Sequence, residues 1–220
     1  MSGDVSSIYG NGTVDTVGYG VGATLTWYGE DGFYADALSQ ATVFDTNLKS
    51  DLVDGNLKDS NSGFGYALSI ETGRRFATAG AWTITPQAQL VYSSVNFVDF
   101  HDRFGAPISL DRGDSLNGRI GVALDHDESW KQADGKAVNA KFYGSADLYY
   151  EFLDGSALNV ADVRFATDND QLAAGITLGG SYSWNDGRTS VYGEVIARSS
   201  VENVGDSYAI GGTAGLRVKW

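Results

Sequence analysis

The 220-residue chain contains no cysteine, which rules out a disulfide framework and any thiolate metal site but names no compartment. Basic residues are scarce: 15 Lys and Arg stand against 28 Asp and Glu, a net charge of −13. A surface that grips nucleic-acid phosphates needs clustered cations, so this balance argues against nucleic acid and leaves cationic partners open. No apolar run approaches the ~18 residues of a membrane-crossing helix, and the mean hydropathy is negative. Those absences exclude a transmembrane helix. They do not exclude a transmembrane barrel, whose strands alternate lipid-facing and lumen-facing side chains. The opening Met1-Ser-Gly-Asp also lacks the basic and then apolar pattern of a signal peptide. An exported membrane protein needs one, so the membrane reading carries the expectation of a fragment of a longer precursor.

Glycine and aromatics are abundant instead: 29 Gly, 12 Tyr, 10 Phe and 5 Trp beside only 2 Pro. This mixture favours many strands joined by turns over long helices, and no shift in composition divides the chain, so one all-β domain is expected.

Nine segments show the period of two that a membrane strand requires. From Gly18 to Trp27 one face carries Tyr19, Val21, Ala23, Leu25 and Trp27, and the other only Gly and Thr. Phe33, Ala35 and Ala37 oppose Asp36, and Phe64, Tyr66, Leu68 and Ile70 oppose Glu71. Ala88, Leu90 and Tyr92 oppose Gln87 and Gln89, and Ile120, Val122 and Leu124 oppose Arg119. Phe142, Ala146, Leu148, Tyr150 and Phe152 oppose Lys141, Tyr143, Asp147, Tyr149 and Glu151. The last three segments set apolar residues around Ile176, Val195 and Leu216 against Glu194, Arg198 and Arg217. Charge thus falls repeatedly on one face: Asp36, Glu71, Arg119, Asp147, Glu151, Glu194, Arg198 and Arg217.

Connector lengths give a second test, because membrane barrels use short periplasmic turns and longer outer loops. With the C-terminus at the periplasmic end, Val201–Ser207, Asp154–Asp170, Phe97–Asp114 and Asp45–Ser62 read as outer loops, and Asn185–Gly187 as a tight inner turn. Met1–Asp15 reads as the remnant of another outer loop. Asp125–Asn139 is too long for its periplasmic place unless two tall strands meet at a short loop near Ala133–Gly135.

The ordered segments Gly18-Tyr-Gly-Val-Gly, Gly32-Phe-Tyr-Ala-Asp36, Ser69-Ile-Glu-Thr-Gly73, Thr85-Pro-Gln-Ala-Gln-Leu90, Ser115-Leu-Asn-Gly-Arg-Ile-Gly121 and Gly215-Leu-Arg-Val-Lys-Trp220 resemble the pertactin-type translocator domain of autotransporters, the proteins of type V secretion. The resemblance covers nearly the whole chain. It implies an antiparallel transmembrane β-barrel of twelve strands in the bacterial outer membrane, of which residues 1–220 supply the C-terminal nine, an N-terminal helical linker and about three strands being missing. It further implies a domain that carries an N-terminal passenger to the cell surface and anchors it, with no cofactor and no metal. The partners implied are that passenger and its linker helix, outer-membrane lipid, and the barrel-assembly machinery. Thr213, Gly215, Val218 and the terminal Trp220 are similar to the signal that this machinery reads, an edge strand able to pair with another barrel. For the charged lumen face, contact with the linker competes with an ion network that stiffens the wall.

Other readings stand beside this one. A passive outer-membrane pore differs only in what precedes the barrel. A surface protease would use Asp99, His101 and Asp102 to activate water, whereas a solvated loop accounts for the same residues. No Gly-x-Ser-x-Gly elbow is present. The acid pairs Asp125/Asp127 and Asp168/Asp170 lack the spacing of a Ca²⁺ loop. A soluble barrel holding an apolar ligand would turn its apolar face inward, and periodicity alone does not say which face is which.

Overall fold

A computed structural model of the chain describes residues 2–7, 10–51, 55–78, 80–167, 170–205 and 207–219. The described residues are all-β and form two antiparallel sheets. Along the chain the strands are β1 (Ser2–Ser7), β2 (Gly10–Tyr28), β3 (Phe33–Ser50), β4 (Gly55–Arg74), β5 (Phe76–Ala77), β6 (Trp82–Phe97), β7 (Phe100–His101) and β8 (Pro107–Arg112). They continue with β9 (Asp114–Lys131), β10 (Ala137–Glu151), β11 (Ala157–Val160), β12 (Val163–Ala166), β13 (Leu172–Trp184), β14 (Thr189–Ser200) and β15 (Tyr208–Val218). The main sheet runs β1-β2-β3-β4-β6-β9-β10-β13-β14-β15, with β5 a short continuation beside β6. Consecutive strands pair, as in an up-and-down meander, and the nine segments read from alternation are all present.

Register assigns the faces. Pro86 pairs with Val122, Val122 with Ala146, Ala146 with Ile176, Ile176 with Ala197 and Ala197 with Ile210, one apolar row across six strands. These apolar side chains lie open: Ile120 is 63% exposed, Ile176 56% and Ile210 72%. Only Phe100, Val138, Ala140, Ala157 and Ala173 are buried hydrophobics among the described residues. The accessible surface is 14357 Å², against about 9,700 Å² for a compact soluble protein of this mass. Such a sheet has no centre of its own. Its apolar face needs an apolar solvent, which disposes of the soluble barrel.

Aromatic pairs bound that apolar band at two heights, as they do in membrane barrels. At the short-turn end, Trp27 meets Phe33, Trp82 stacks on His126 at 4.4 Å between ring centres, and Tyr182 touches both Trp130 and Trp184. At the other end, Tyr66 meets Phe64 and Tyr92, and Tyr150 meets Phe152 at 5.0 Å. Along β6 the interval from Trp82 to Tyr92, at ~3.4 Å per residue and a tilt of ~45°, spans about 25 Å, the height of an outer-membrane apolar band.

The connectors depart from expectation at the outer end. Phe97–Asp114 and Asp154–Asp170 are not simple loops: they contribute β7, β8, β11 and β12 to a second sheet of order β12-β11-β8-β7. Leu110 pairs with Leu158, and Ile108 pairs with both Val160 and Phe100, so a small apolar face holds these strands together where no lipid is present. Asp45–Ser62 is likewise paired, with β3 and β4 continuing to Ser50 and from Gly55 through a register shift at Leu48. Residues 2–7 and 10–15 form a ladder between β1 and β2. At the inner end Asn185, Asp186 and Gly187 all adopt positive φ (54°, 57° and 76°), a conformation open to Gly and tolerated by Asn and Asp. The long inner connector resolves into the ends of β9 and β10 and a turn at Gln132–Lys136, closed by Gly135 N–H donating to Gln132 O at 2.9 Å.

Candidate functional site

Ladder register brings the eight charged positions read from alternation onto one face of the sheet. Asp36 pairs with Glu71, Glu71 with Gln89, Gln89 with Arg119 and Arg119 with Tyr149. One step along the strands, Asp147 pairs with Gly175 and Gly175 with Arg198. Glu194 faces Thr213, Arg217 faces Ser190, and Glu151 lies on the same side of β10 as Asp147 and Tyr149.

Three of the eight meet directly. Arg119 donates through Nη2 to Glu71 Oε2 at 2.5 Å and through Nη1 to Asp147 Oδ1 at 3.3 Å. The Asp147 side chain has no exposed surface, and a desolvated carboxylate costs several kcal/mol unless paired. The remaining lone pairs are served too: Ser145 Oγ donates to Asp147 at 2.5 Å, Gln87 Nε2 at 3.3 Å, and the Tyr34 hydroxyl donates to Glu71 at 2.7 Å. Gln89 accepts from Arg119 Nε at 3.1 Å. The guanidinium fork thus ties β4, β6, β9 and β10 across four strands.

The other five stand apart. Asp36 accepts from Thr26 and Glu194 from the Tyr143 hydroxyl. Glu151 accepts from Ser115 Oγ at 2.6 Å and from the backbone N–H of Leu116 at 2.8 Å. Arg198 lies over the ring of Tyr149 at 4.2 Å, and Arg217 sits exposed near the end of β15. Alternation had put Gln87, Gln89, Tyr143 and Tyr149 on this face without singling them out. The signal was their shared parity with the charges.

Glycines on this face seat the large rings. Tyr143 lies over Gly179 and Tyr192 over Gly215, where any side chain would collide with the ring. Gly215 and Thr213 therefore face the polar side, Val218 pairs with Thr189 on the apolar side, and Trp220 lies outside the described residues. The edges of the main sheet are β1 and β15, each paired on one side only.

In the outer segment, Asp102 is engaged by its own backbone. Its Oδ1 accepts the backbone N–H groups of Phe104 and Ala106, both at 2.8 Å, closing its own loop. Asp127 pairs with Lys141 at 2.6 Å, and Asp170 accepts from Asn203 at 2.7 Å. Asp168 lies outside the described residues.

A family model described as the autotransporter beta-domain matches residues 1–196. The chain belongs to that family. It is 45% identical to the Adhesin BmaC autotransporter of Brucella suis over 220 residues, all of this chain and 6% of that protein. To the Pertactin autotransporter of Bordetella parapertussis it is 33% identical over 116 residues, 52% of this chain and 12% of that one. The chain thus spans a small part of the length of these relatives. Among solved structures, the transport unit of the autotransporter AIDA-I from Escherichia coli superposes with a TM-score of 0.73 at 19% identity, over 96% of this chain and 68% of that one. The β-domain of the Bordetella autotransporter BrkA gives 0.63 at 20% identity, over 96% and 75%. This autotransporter β-domain is therefore an outer-membrane β-barrel domain.

Proposed function

We propose that this chain is the C-terminal part of an outer-membrane translocator that carries an N-terminal passenger polypeptide to the cell surface and anchors it there. The observation that carries the reading is the division of the sheet into an apolar outer face and a wall of hydrogen-bonded charge. A polypeptide crossing a bilayer needs water or polar side chains for its backbone groups, since each unsatisfied group costs several kcal/mol in hydrocarbon. A wall bearing Asp36, Glu71, Arg119, Asp147, Glu151, Glu194 and Arg198 keeps such a lumen wet. The Glu71–Arg119–Asp147 cluster stiffens the wall, because its charges already satisfy one another.

The edges β1 and β15 require strand partners in lipid. In this reading further strands of the same domain complete the barrel, in keeping with the larger size of the solved neighbours. Before closure, β15 with Thr213, Gly215 and Val218 presents a regular edge for the barrel-assembly machinery to pair with. The domain acts by topology in this reading, and Asp102, next to His101 in the sequence, is engaged by its own loop.

The test uses intact cells expressing the whole precursor, probed with a protease that cannot enter. We expect the passenger to be cleaved from outside, and both its exposure and its membrane retention to be lost when residues 1–220 are deleted. A passenger that still reached the surface without them would end this reading, and a lumen that conducted ions with no polypeptide attached to it would turn it toward a passive pore.

A further inference from the structure

The polar face of a membrane barrel is free to carry polar side chains at every position, yet one row of this face is apolar. Across four neighbouring strands Gly18 pairs with Phe44, Phe44 with Gly63 and Gly63 with Phe97. Phe44 stands eight residues along β3 from Asp36, and Phe97 eight along β6 from Gln89, with unbroken pairing between. An even count returns a strand residue to the same face, so both rings lie on the side of the charges. Phe64, on the opposite face, pairs with Val43 and Asn96, which sets the row at the height of the outer girdle.

The row is built for rings. Phe44 and Phe97 stand 6.2 Å apart between ring centres. A Cβ at Gly63 would lie 2.5 Å from two ring atoms of Phe97, and one at Gly18 or Gly65 would lie 3.1 Å or 3.0 Å from the ring of Phe44. The bare glycines are thus a floor across which both rings lie against the wall. Val95, opposite Gly65, extends the apolar surface by one row. All three side chains are half-buried, so part of each ring remains open. Further inward the same face returns to Gln40, Ser93 and the charged row of Asp36 and Glu71.

Neither lipid nor a second barrel accounts for these rings, because both meet the other side of the sheet. In the translocator reading, on which this inference rests, the polar face encloses the lumen, and only a chain threaded through it reaches them. We infer that Phe44 and Phe97 form the surface along which apolar side chains of the translocating polypeptide pass as it leaves the lumen. A wall of donors and acceptors detains a passing chain at each hydrogen bond it makes. A ring face attracts apolar side chains without direction, and so lets the next residue replace the last.

The test uses the whole precursor in cells, with a disulfide-closed loop inserted in the passenger to arrest it in transit. The photoreactive residue p-benzoylphenylalanine is placed at Phe44, at Phe97 or, on the opposite face at similar height, at Tyr66. After irradiation, adducts from the first two positions are expected to carry polypeptide of the same precursor from outside residues 1–220, and the third to give none. Adducts confined to residues 1–220, or no adduct in the arrested precursor, overturn the inference. As a second arm, without the inserted loop, Phe44→Gln with Phe97→Gln is expected to lengthen several-fold the half-time for the passenger to appear at the surface. The barrel should keep its heat-modifiable gel mobility, and Phe44→Leu with Phe97→Leu should stay close to the unmodified rate. Equal rates in all three overturn the inference but leave the translocator reading intact. Loss of that reading would show separately, as an unmodified precursor whose passenger never reaches the surface.

Discussion

Arg119 on β9 and Glu71 on β4 are separated by β6, yet their side chains meet at 2.5 Å. The same guanidinium holds Asp147 on β10, so one residue answers two carboxylates from either side of its own strand. Removing it strands both, and the fully covered Asp147 suffers most. Breaking a buried pair by deleting one partner costs ~3–5 kcal/mol, and the partial exposure of Glu71 sets this case near the lower end. Arg119→Ala in the complete domain should lower the urea midpoint of barrel unfolding accordingly, and adding Asp147→Asn should recover part of the loss. An unchanged midpoint would mean that the wall does not depend on this cluster.

Tyr143 over Gly179 makes a different kind of joint. A side chain at Gly179 would stand inside the ring's own volume, and overpacking of this kind costs ~1–3 kcal/mol. Gly179→Ala should destabilise the domain by that amount, and Tyr143→Leu in the same chain should relieve most of it. If the two substitutions simply added, the ring and the glycine would not be coupled.

The apolar row through Val122, Ala146 and Ile176 lies midway between the aromatic girdles. A lysine there must leave water for hydrocarbon, at ~2–4 kcal/mol near the bilayer midplane. Ile176→Lys should reduce the yield of folded, heat-modifiable protein in lipid vesicles sharply. Phe104→Lys, in an exposed outer turn, should change it little, and equal losses at both positions would contradict the assigned lipid face.

In the turn Gln132–Lys136, the Asp134 carboxyl sits below its ordinary 3.8, first because it accepts the backbone N–H of Lys136 at 3.1 Å and then because the Lys136 ammonium is 3.4 Å away. A lowered folded value means that the ionised form is the one bound. The contribution is present above the unfolded value and disappears as pH falls through the folded one. The Lys136 amide proton resonance should therefore stay constant from neutrality down to about pH 4 and shift only in more acid solution, and Asp134→Asn should abolish the shift. A midpoint at or above the ordinary carboxylate range would contradict the bonded turn.

Within the band that faces lipid, alternation is enforced residue by residue, because each outward position must be apolar and each inward one is free to be polar. That is why Ile120, Leu148 and Ile176 could be placed opposite Arg119, Asp147 and Arg198 without coordinates. Above the band the rule lapses. β3 and β4 continue through Asp45, Asn47, Asp59 and Asn61 as paired strands with no apolar face to announce them. The β11–β12 hairpin turns at Ala161 and Asp162, both at positive φ (51° and 65°), a two-residue turn that Asn-Gly would signal and that Ala conceals. The connector Asp125–Asn139, by contrast, divides as its length required, into two tall strands and a five-residue turn at Gln132–Lys136.

The amino-acid order by itself determined the nine band-crossing strands and the division of each into an apolar and a polar face, since a period of two is local. Tertiary structure decided which charges answer one another. Arg119 and Arg198 look alike in the sequence, each a lone cation among small and polar neighbours. Only register and reach distinguish them: Glu71 and Asp147 arrive from strands far along the chain to satisfy the first, whereas the second lies on the Tyr149 ring.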